Sequence, residues 1–208
     1  MKVLLLNGSS HPHGCTDAAL REVADTLEQT GIQTEIVFLG TDPVRDCTAC
    51  GGCAKLPGKC VFDDDIVNQI IEKARDSDGF VFGTPVYYAH PSGRILSVLD
   101  RVFYAGKSAF EHKPAAALAS ARRAGTTATL DVLQKYFTIS QMPIVSSTYW
   151  TMVHGSQPSD VQKDEEGLQV MRNLARNMAW LLQCIHAGKH SDIQPPEAES
   201  GAKTNFIR

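Results

Sequence analysis

Short apolar runs alternate along this chain with stretches in which apolar residues return every three or four positions. Val3 to Leu6 is a continuous apolar run, the pattern of a strand covered on both faces. Leu20, Val23, Ala24 and Leu27 then recur at i, i+3, i+4 and i+7, the stripe of an amphipathic helix. Thr16 or Asp17 can cap its start and Gly31 its end. Glu35 to Leu39 reads as a second strand, Gly79 to Gly83 as a third, Ala115 to Ala119 as a fourth and Pro143 to Ser147 as a fifth. Helices are expected after Asp63-Asp64-Asp65, from about Ser92 to Tyr104, around Leu130, Leu133 and Phe137, and from Leu168 to Ile185. The acidic triplet is the natural cap of the helix it precedes, where its charge suits the helix dipole. Cys184 falls beside Leu181 and Ile185 and is expected in the core.

Strands alternating with helices imply a parallel sheet with helices on both faces, and a five-stranded sheet favours the order 2-1-3-4-5. The expected architecture is α/β, a three-layer sandwich with a five-stranded parallel sheet between helices, formed by residues 1–188. Residues 40–62 form an aperiodic insertion, and 189–208 a polar tail. Ligands of such sheets sit beyond the carboxyl ends of the strands. Three small-residue turns fall there, after Leu6, Phe82 and Ala119.

The first of these turns, Gly8-Ser9-Ser10-His11-Pro12-His13-Gly14-Cys15-Thr16, joins a strand to a helix N-terminus. Free backbone N–H groups and the helix dipole there suit an anion. Ser9, Ser10 and Thr16 add hydroxyls, and His11 a cationic edge. The turn is neither a Walker A loop nor the dinucleotide G-x-G-x-x-G, so a mononucleotide phosphate fits it better than a pyrophosphate. An ordinary turn that binds nothing is the plain alternative.

Composition narrows the function classes. The balance of 20 basic against 23 acidic residues offers no field for nucleic acid. No apolar run approaches the roughly 18 residues that span a bilayer. The run Val3 to Leu6 is also shorter than the roughly 7–15 residues of a signal h-region. A cytoplasmic location is the expectation, and thiols there stay reduced.

Four of the six cysteines, Cys47, Cys50, Cys53 and Cys60, lie within fourteen residues as C-x2-C-x2-C-x6-C. Three thiolates on one tight loop with a fourth to close the set resemble a ferredoxin run, although no proline follows Cys60. A [4Fe-4S] cluster, a metal-free thiol loop and a zinc site all remain open, the spacing suiting zinc least.

Taken together, the motifs resemble the flavodoxin-like NAD(P)H-dependent FMN reductases. The first turn resembles their G-S-P-R-x-x-G-N-T signature, with His11 in place of the arginine and Cys15 in place of the asparagine. Thr84-Pro85-Val86-Tyr87-Tyr88 resembles their S/T-P-V-Y-F/Y segment. The cysteine run followed by Asp63-Asp64-Asp65 resembles the branch of iron–sulfur flavoproteins. The resemblance implies FMN as cofactor, its phosphate held by Ser9, His11, Cys15 and Thr16. It places the flavin along Thr84, Pro85, Val86, Tyr87 and Tyr88, near Ser92 and Gly93, with the turn from Ala121 to Gly125 on its other edge. Arg122 or Arg123 in that turn can meet a phosphate of NAD(P)H or an acidic acceptor, or form a solvated surface pair. His90 is a candidate proton donor or a loop bystander. No residue is assigned as catalytic, because the flavin carries the chemistry.

The implied reaction takes hydride from NAD(P)H onto FMN and passes electrons to a quinone-like, azo-type or ferredoxin-like protein acceptor. The cysteine run would serve as cluster ligands. The resemblance also implies a homodimer or homotetramer. A flavodoxin-like electron carrier and a thiol or metal sensor on the same fold are the alternatives.

Overall fold

The computed structural model describes residues 1–202 and 204. Its central sheet has the order β2-β1-β3-β5-β6, all parallel: β1 Lys2–Asn7, β2 Gln33–Phe38, β3 Gly79–Tyr87, β5 Ala115–Ala121 and β6 Met152–His154. A two-residue strand, β4 (His90–Pro91), folds back antiparallel on β3. Apart from that return, the order is the expected one. Among the described residues there are six α-helices: α1 Cys15–Glu28, α2 Val67–Arg75, α3 Gly93–Gly106, α4 Thr126–Ile139, α5 Pro158–Val161 and α6 Glu165–His190.

Alternation along β1 divides the core. Leu4 and Leu6 face α2, α3 and α4, in a layer with Phe80, Phe82, Phe103, Phe110 and Phe137. Val3 and Leu5 face α1 and α6, among Leu20, Val23, Met171, Leu174 and Met178. Each such side chain contributes roughly 1.5–3 kcal/mol when fully buried. The alanines of β5 leave room for the aromatic layer, with Phe80 paired beside Ala115 and Phe82 beside Ala117.

Four expectations change. The fifth strand position is a broken one. Ala115 accepts Val145 N–H and donates to Pro143, and Ile144 makes an isolated bridge to Ala115. The chain then bulges away, held by Ser147 Oγ on Val170 C=O and by Asn177 on Ser146 C=O. Pairing resumes at Met152–His154, and the Thr151 hydroxyl, 2.6 Å from Ala117 C=O, fills the gap in the ladder. Cys184 is exposed. The buried stripe of α6 runs through Met171, Leu174, Ala175, Met178 and Leu182, and a residue two positions after Leu182 lies about 200° round the helix. Gly14, not Thr16 or Asp17, is the N-cap of α1. α2 begins at Val67 rather than on the acidic triplet, although Asp65 Oδ1 still accepts Val67 N–H at 3.0 Å. α6 runs to His190, and the described residues beyond it form no helix or strand; the end of the expected tail lies outside the described residues.

Candidate functional site

The carboxyl ends of β1, β3 and β5 open into one cleft of about 660 Å³. The first turn forms one wall with Ser9, His11 and Cys15; Pro85, Val86 and Tyr87 form the second; Ser120, Ala121 and Arg122 form the third. Residues 155–158, entering α5, close the fourth side.

The first turn is rigid before anything binds. Buried Asn7 accepts Ser9 N–H on Oδ1 at 3.0 Å, and Ser9 Oγ accepts His11 N–H at 3.0 Å. Gly14 donates to His11 C=O. At Gly8 the ideal Cβ would stand 2.8 Å from Ile95 Cβ, so only glycine brings the turn this close to α3. Gly14 caps α1 without a side chain, so the first-turn N–H groups receive no hydroxyl or carboxylate. Those groups and the dipole of a 14-residue helix are what a phosphate needs. Thr16 Oγ1 lies 2.8 Å from Ser120 Oγ and ties this wall to β5.

The cleft's charges are arranged by the loop opposite. Asp160 accepts from Ser156 N–H, the first cause of its lowered pKa, and from Gln157. Burial, then the Asp160 carboxylate, push the Cys15 thiol above its ordinary range. Cys15 therefore stays a neutral thiol beside the anion cradle. Arg122 supplies a cationic edge, and His11 and His13 line the cleft opposite it.

Ser9, His11, Cys15, Thr16, Pro85, Val86, Tyr87 and Ala121 are brought together on the cleft. Thr84, Ser92 and Gly125 stand behind it, while Gly93, exposed at the start of α3, does not line it. Thr84 Oγ1 accepts Ser92 N–H, and Ser92 Oγ donates to Gly8 C=O at 2.7 Å while accepting Ile95 N–H as the cap of α3. Gly125, with φ +93°, would carry its Cβ 2.7 Å from Ala89 Cα, so it lets the β3–β4 turn pack against α4. In that turn Tyr88 and Ala89 both have positive φ, +53° and +58°. Tyr88 is fully exposed at the tip, and His90 is also exposed. Sequence reasoning missed His13, Ser120 and residues 155–158. The run Gly155-Ser156-Gln157-Pro158 carried a turn signal, but its place on the cleft depends on β6.

A second cavity lies on the α3 side. It is small, about 20 Å³, and Cys47, Cys50, Cys53 and Cys60 all line it together with Arg101 and Tyr104. Residues 40–62 descend along α3 to reach it. Arg94 donates to Thr41 C=O and Asp42 C=O at the top. Arg101, 1% exposed, pairs with Asp65 and donates to Arg45 C=O, Phe62 C=O and Cys60 Sγ. Burial opposes its charge, but the hydrogen bonds to Asp65 and Cys60 outweigh that and raise its pKa. Asn68 clasps Cys60 from α2, accepting its N–H at 2.8 Å and donating to its C=O at 3.0 Å. Cys50 has a lowered pKa, first because of the Gly52 backbone N–H. Among the described residues no three His, Cys, Asp or Glu side chains stand close enough to share a single metal ion.

This geometry agrees with the comparisons. The NADPH-dependent FMN reductase family matches residues 1–157. An iron–sulfur flavoprotein of Methanocaldococcus jannaschii is 30% identical over 194 residues, covering 89% of this chain and 99% of that one. Another, from Methanosarcina thermophila, is 25% identical over 193 residues, covering 91% and 99%. Among solved structures, RosB with bound 8-demethyl-8-formylriboflavin-5'-phosphate superposes with a TM-score of 0.68 at 15% identity, over 100% of this chain and 94% of that one. An archaeal flavodoxin gives 0.59 at 11% identity, over 88% and 99%. These two likenesses establish the flavodoxin-like fold. No described helix is long and apolar enough to cross a membrane. Matched by that family over residues 1–157, the chain belongs to the NADPH-dependent FMN reductases, a family of flavin oxidoreductases.

Proposed function

We propose that the chain takes hydride from NAD(P)H onto FMN held in the cleft and passes the electrons to a separate acceptor through a [4Fe-4S] cluster held by Cys47, Cys50, Cys53 and Cys60. The observation that carries this reading is the pair of cavities in one domain: an anion cradle, and a pocket lined by all four clustered thiols. The donor set fits the cluster. All four cysteines line one space, small at about 20 Å³, so the loop must give way as it admits the group, and a cluster takes one thiolate on each iron. A single zinc ion instead draws its ligands to about 2.3 Å.

FMN accepts hydride and releases electrons one or two at a time. The chain's own residues bind and orient. First-turn N–H groups, Ser9 and Thr16 hold the phosphate, with His11 and His13 at its edge. Pro85, Val86 and Tyr87 flank the ring system, and Ala121 leaves room on the other side. Thr84, Ser92 and Gly125 position these walls from behind. Tyr88 at its exposed tip reaches a neighbouring chain or a docked acceptor. The exposed Tyr104, Tyr149, Trp150 and Trp180 support a homodimer or homotetramer. The acceptor is a quinone-like or azo-type compound, or a ferredoxin-like protein.

Absorption spectra of anaerobically purified protein, with iron and acid-labile sulfide assays, test the reading. Flavin bands with about four irons per chain are expected. Flavin without iron after reconstitution removes the cluster and leaves a reductase with a thiol loop. Loss of NADPH oxidation with flavin retained would favour a flavodoxin-like carrier.

A further inference from the structure

Arg101 is the bulkiest fully buried side chain among the described residues, and the hydrophobic core does not account for it. It projects from the middle of α3 to the cysteine cavity, whose wall it forms. Its donors are divided among four groups, three in the inserted segment and one, Asp65, just after it. Nε points at Cys60 Sγ at 3.4 Å; one terminal nitrogen meets Asp65 and, at 3.2 Å, Arg45 C=O; the other meets Phe62 C=O at 3.0 Å. A guanidinium this dry costs several kcal/mol of lost hydration unless paired. One carboxylate, two carbonyls and a sulfur supply the pairing. Three of these contacts would suffice to pin the loop. The fourth, to a clustered cysteine, bears on chemistry.

We infer that Arg101 is a positioning residue of the cysteine site, fixing Cys60 toward the shared cavity and raising the reduction potential of the cluster those cysteines hold. This rests on the cluster reading above. Reduction adds negative charge to the cluster. A buried N–H···S hydrogen bond and a nearby positive charge stabilise the reduced form more than the oxidised one. Asp65 acts against this, because its carboxylate neutralises the guanidinium from the far side. The pair therefore sets the potential by opposition: removing arginine lowers it, and removing the carboxylate raises it. A brace with no electronic role would not produce opposite signs.

The test uses full-length protein reconstituted anaerobically, comparing wild type with Arg101→Gln, Arg101→Lys and Asp65→Asn. Redox titration followed by electron paramagnetic resonance gives the midpoint potential of the cluster. Arg101→Gln is expected to shift the reduction equilibrium at least tenfold toward the oxidised form, about 59 mV for one electron. Arg101→Lys, which keeps the charge but not the fork, should recover part of the shift. Asp65→Asn should move the potential the other way. Equal potentials in all four proteins, or shifts of the same sign for Arg101→Lys and Asp65→Asn, would overturn the tuning role. A wild type that takes up no iron sinks the cluster reading and the tuning role with it. The positioning role is then decided in iron-free protein by iodoacetamide labelling followed by mass spectrometry. Arg101→Lys should alkylate at Cys60 several-fold faster than wild type, with Cys184 unchanged. Equal Cys60 rates would overturn it.

Discussion

Ser92 is 2% exposed and its hydroxyl serves two partners, donating to Gly8 C=O at 2.7 Å and accepting Ile95 N–H at 3.3 Å. Ser92→Ala removes both at once. Losing a helix cap costs about 0.5–2 kcal/mol. Leaving the Gly8 carbonyl without its donor in a buried place adds about 1–3 kcal/mol. One hydroxyl makes both contacts, so the sum is roughly 2–4 kcal/mol. A chain of this length loses about 2–4 °C of melting temperature per kcal/mol, so a fall of roughly 4–16 °C is expected in FMN-free protein. Gly8 leads directly into the anion turn. FMN affinity, followed by quenching of flavin fluorescence, should drop about tenfold, or ~1.4 kcal/mol. A variant within about 0.5 kcal/mol of wild type in urea unfolding would refute the assignment of Ser92 as a brace. Lost stability with unchanged FMN affinity would refute the link between the α3 cap and the turn.

Ala89→Gly should stabilise the protein by about 0.5–1 kcal/mol: it relieves a left-handed alanine at some cost in unfolded-state entropy, and calorimetry should show a higher melting temperature. Glu35 has a lowered pKa because Lys2, then Lys73, bond its carboxylate. Its contribution is therefore complete above its ordinary value of 4.5 and fades as pH falls through the lower folded value, so the stability gap between wild type and Glu35→Gln should be open at pH 7 and close on acidification. Asn68→Ala unclasps Cys60 from α2 and should cost about 2–3 kcal/mol in urea unfolding and lower iron uptake; full iron occupancy would show that Arg101 alone holds the loop. Tyr87→Ala should weaken FMN binding several-fold while Tyr88→Ala leaves it unchanged in monomeric protein, because Tyr87 lines the cleft and Tyr88 does not.

The sheet order and three of the cleft's four walls were legible because long apolar runs and small-residue turns carry them. Val3 to Leu6 admits one reading, and the glycine- and serine-rich turn after it marks a helix N-terminus by composition. The fourth wall was not legible. It hangs on Met152–His154, three residues too short to show a period, reached after a bulge whose ladder bond comes from a threonine side chain. The apolar pair Ile144 and Val145 drew the fifth strand to Pro143–Ser147, where the structure keeps only a bridge. The β3–β4 return was hidden for another reason: Tyr88-Ala89 occupies a position where Asn-Gly is the usual signal. Thr84, Ser92, Gly93 and Gly125 were placed near the flavin by motif, and a motif does not separate a wall from its support. The cysteine spacing marked residues that line the pocket but not Arg101, which lies 41 residues beyond Cys60 on α3.

The hydroxyl contact between Thr16 and Ser120 joins residues 104 apart in sequence. Closing so long a loop is slow, and its partners form no site until β5 has docked. The cleft is thus expected among the last features to assemble, although its first wall is built from the first residues of the sequence. A cofactor that recognises only the closed cradle cannot speed the search for the fold. It binds after the barrier and slows escape from the native state, so its effect should appear in the unfolding limb of a chevron and leave the refolding limb unmoved.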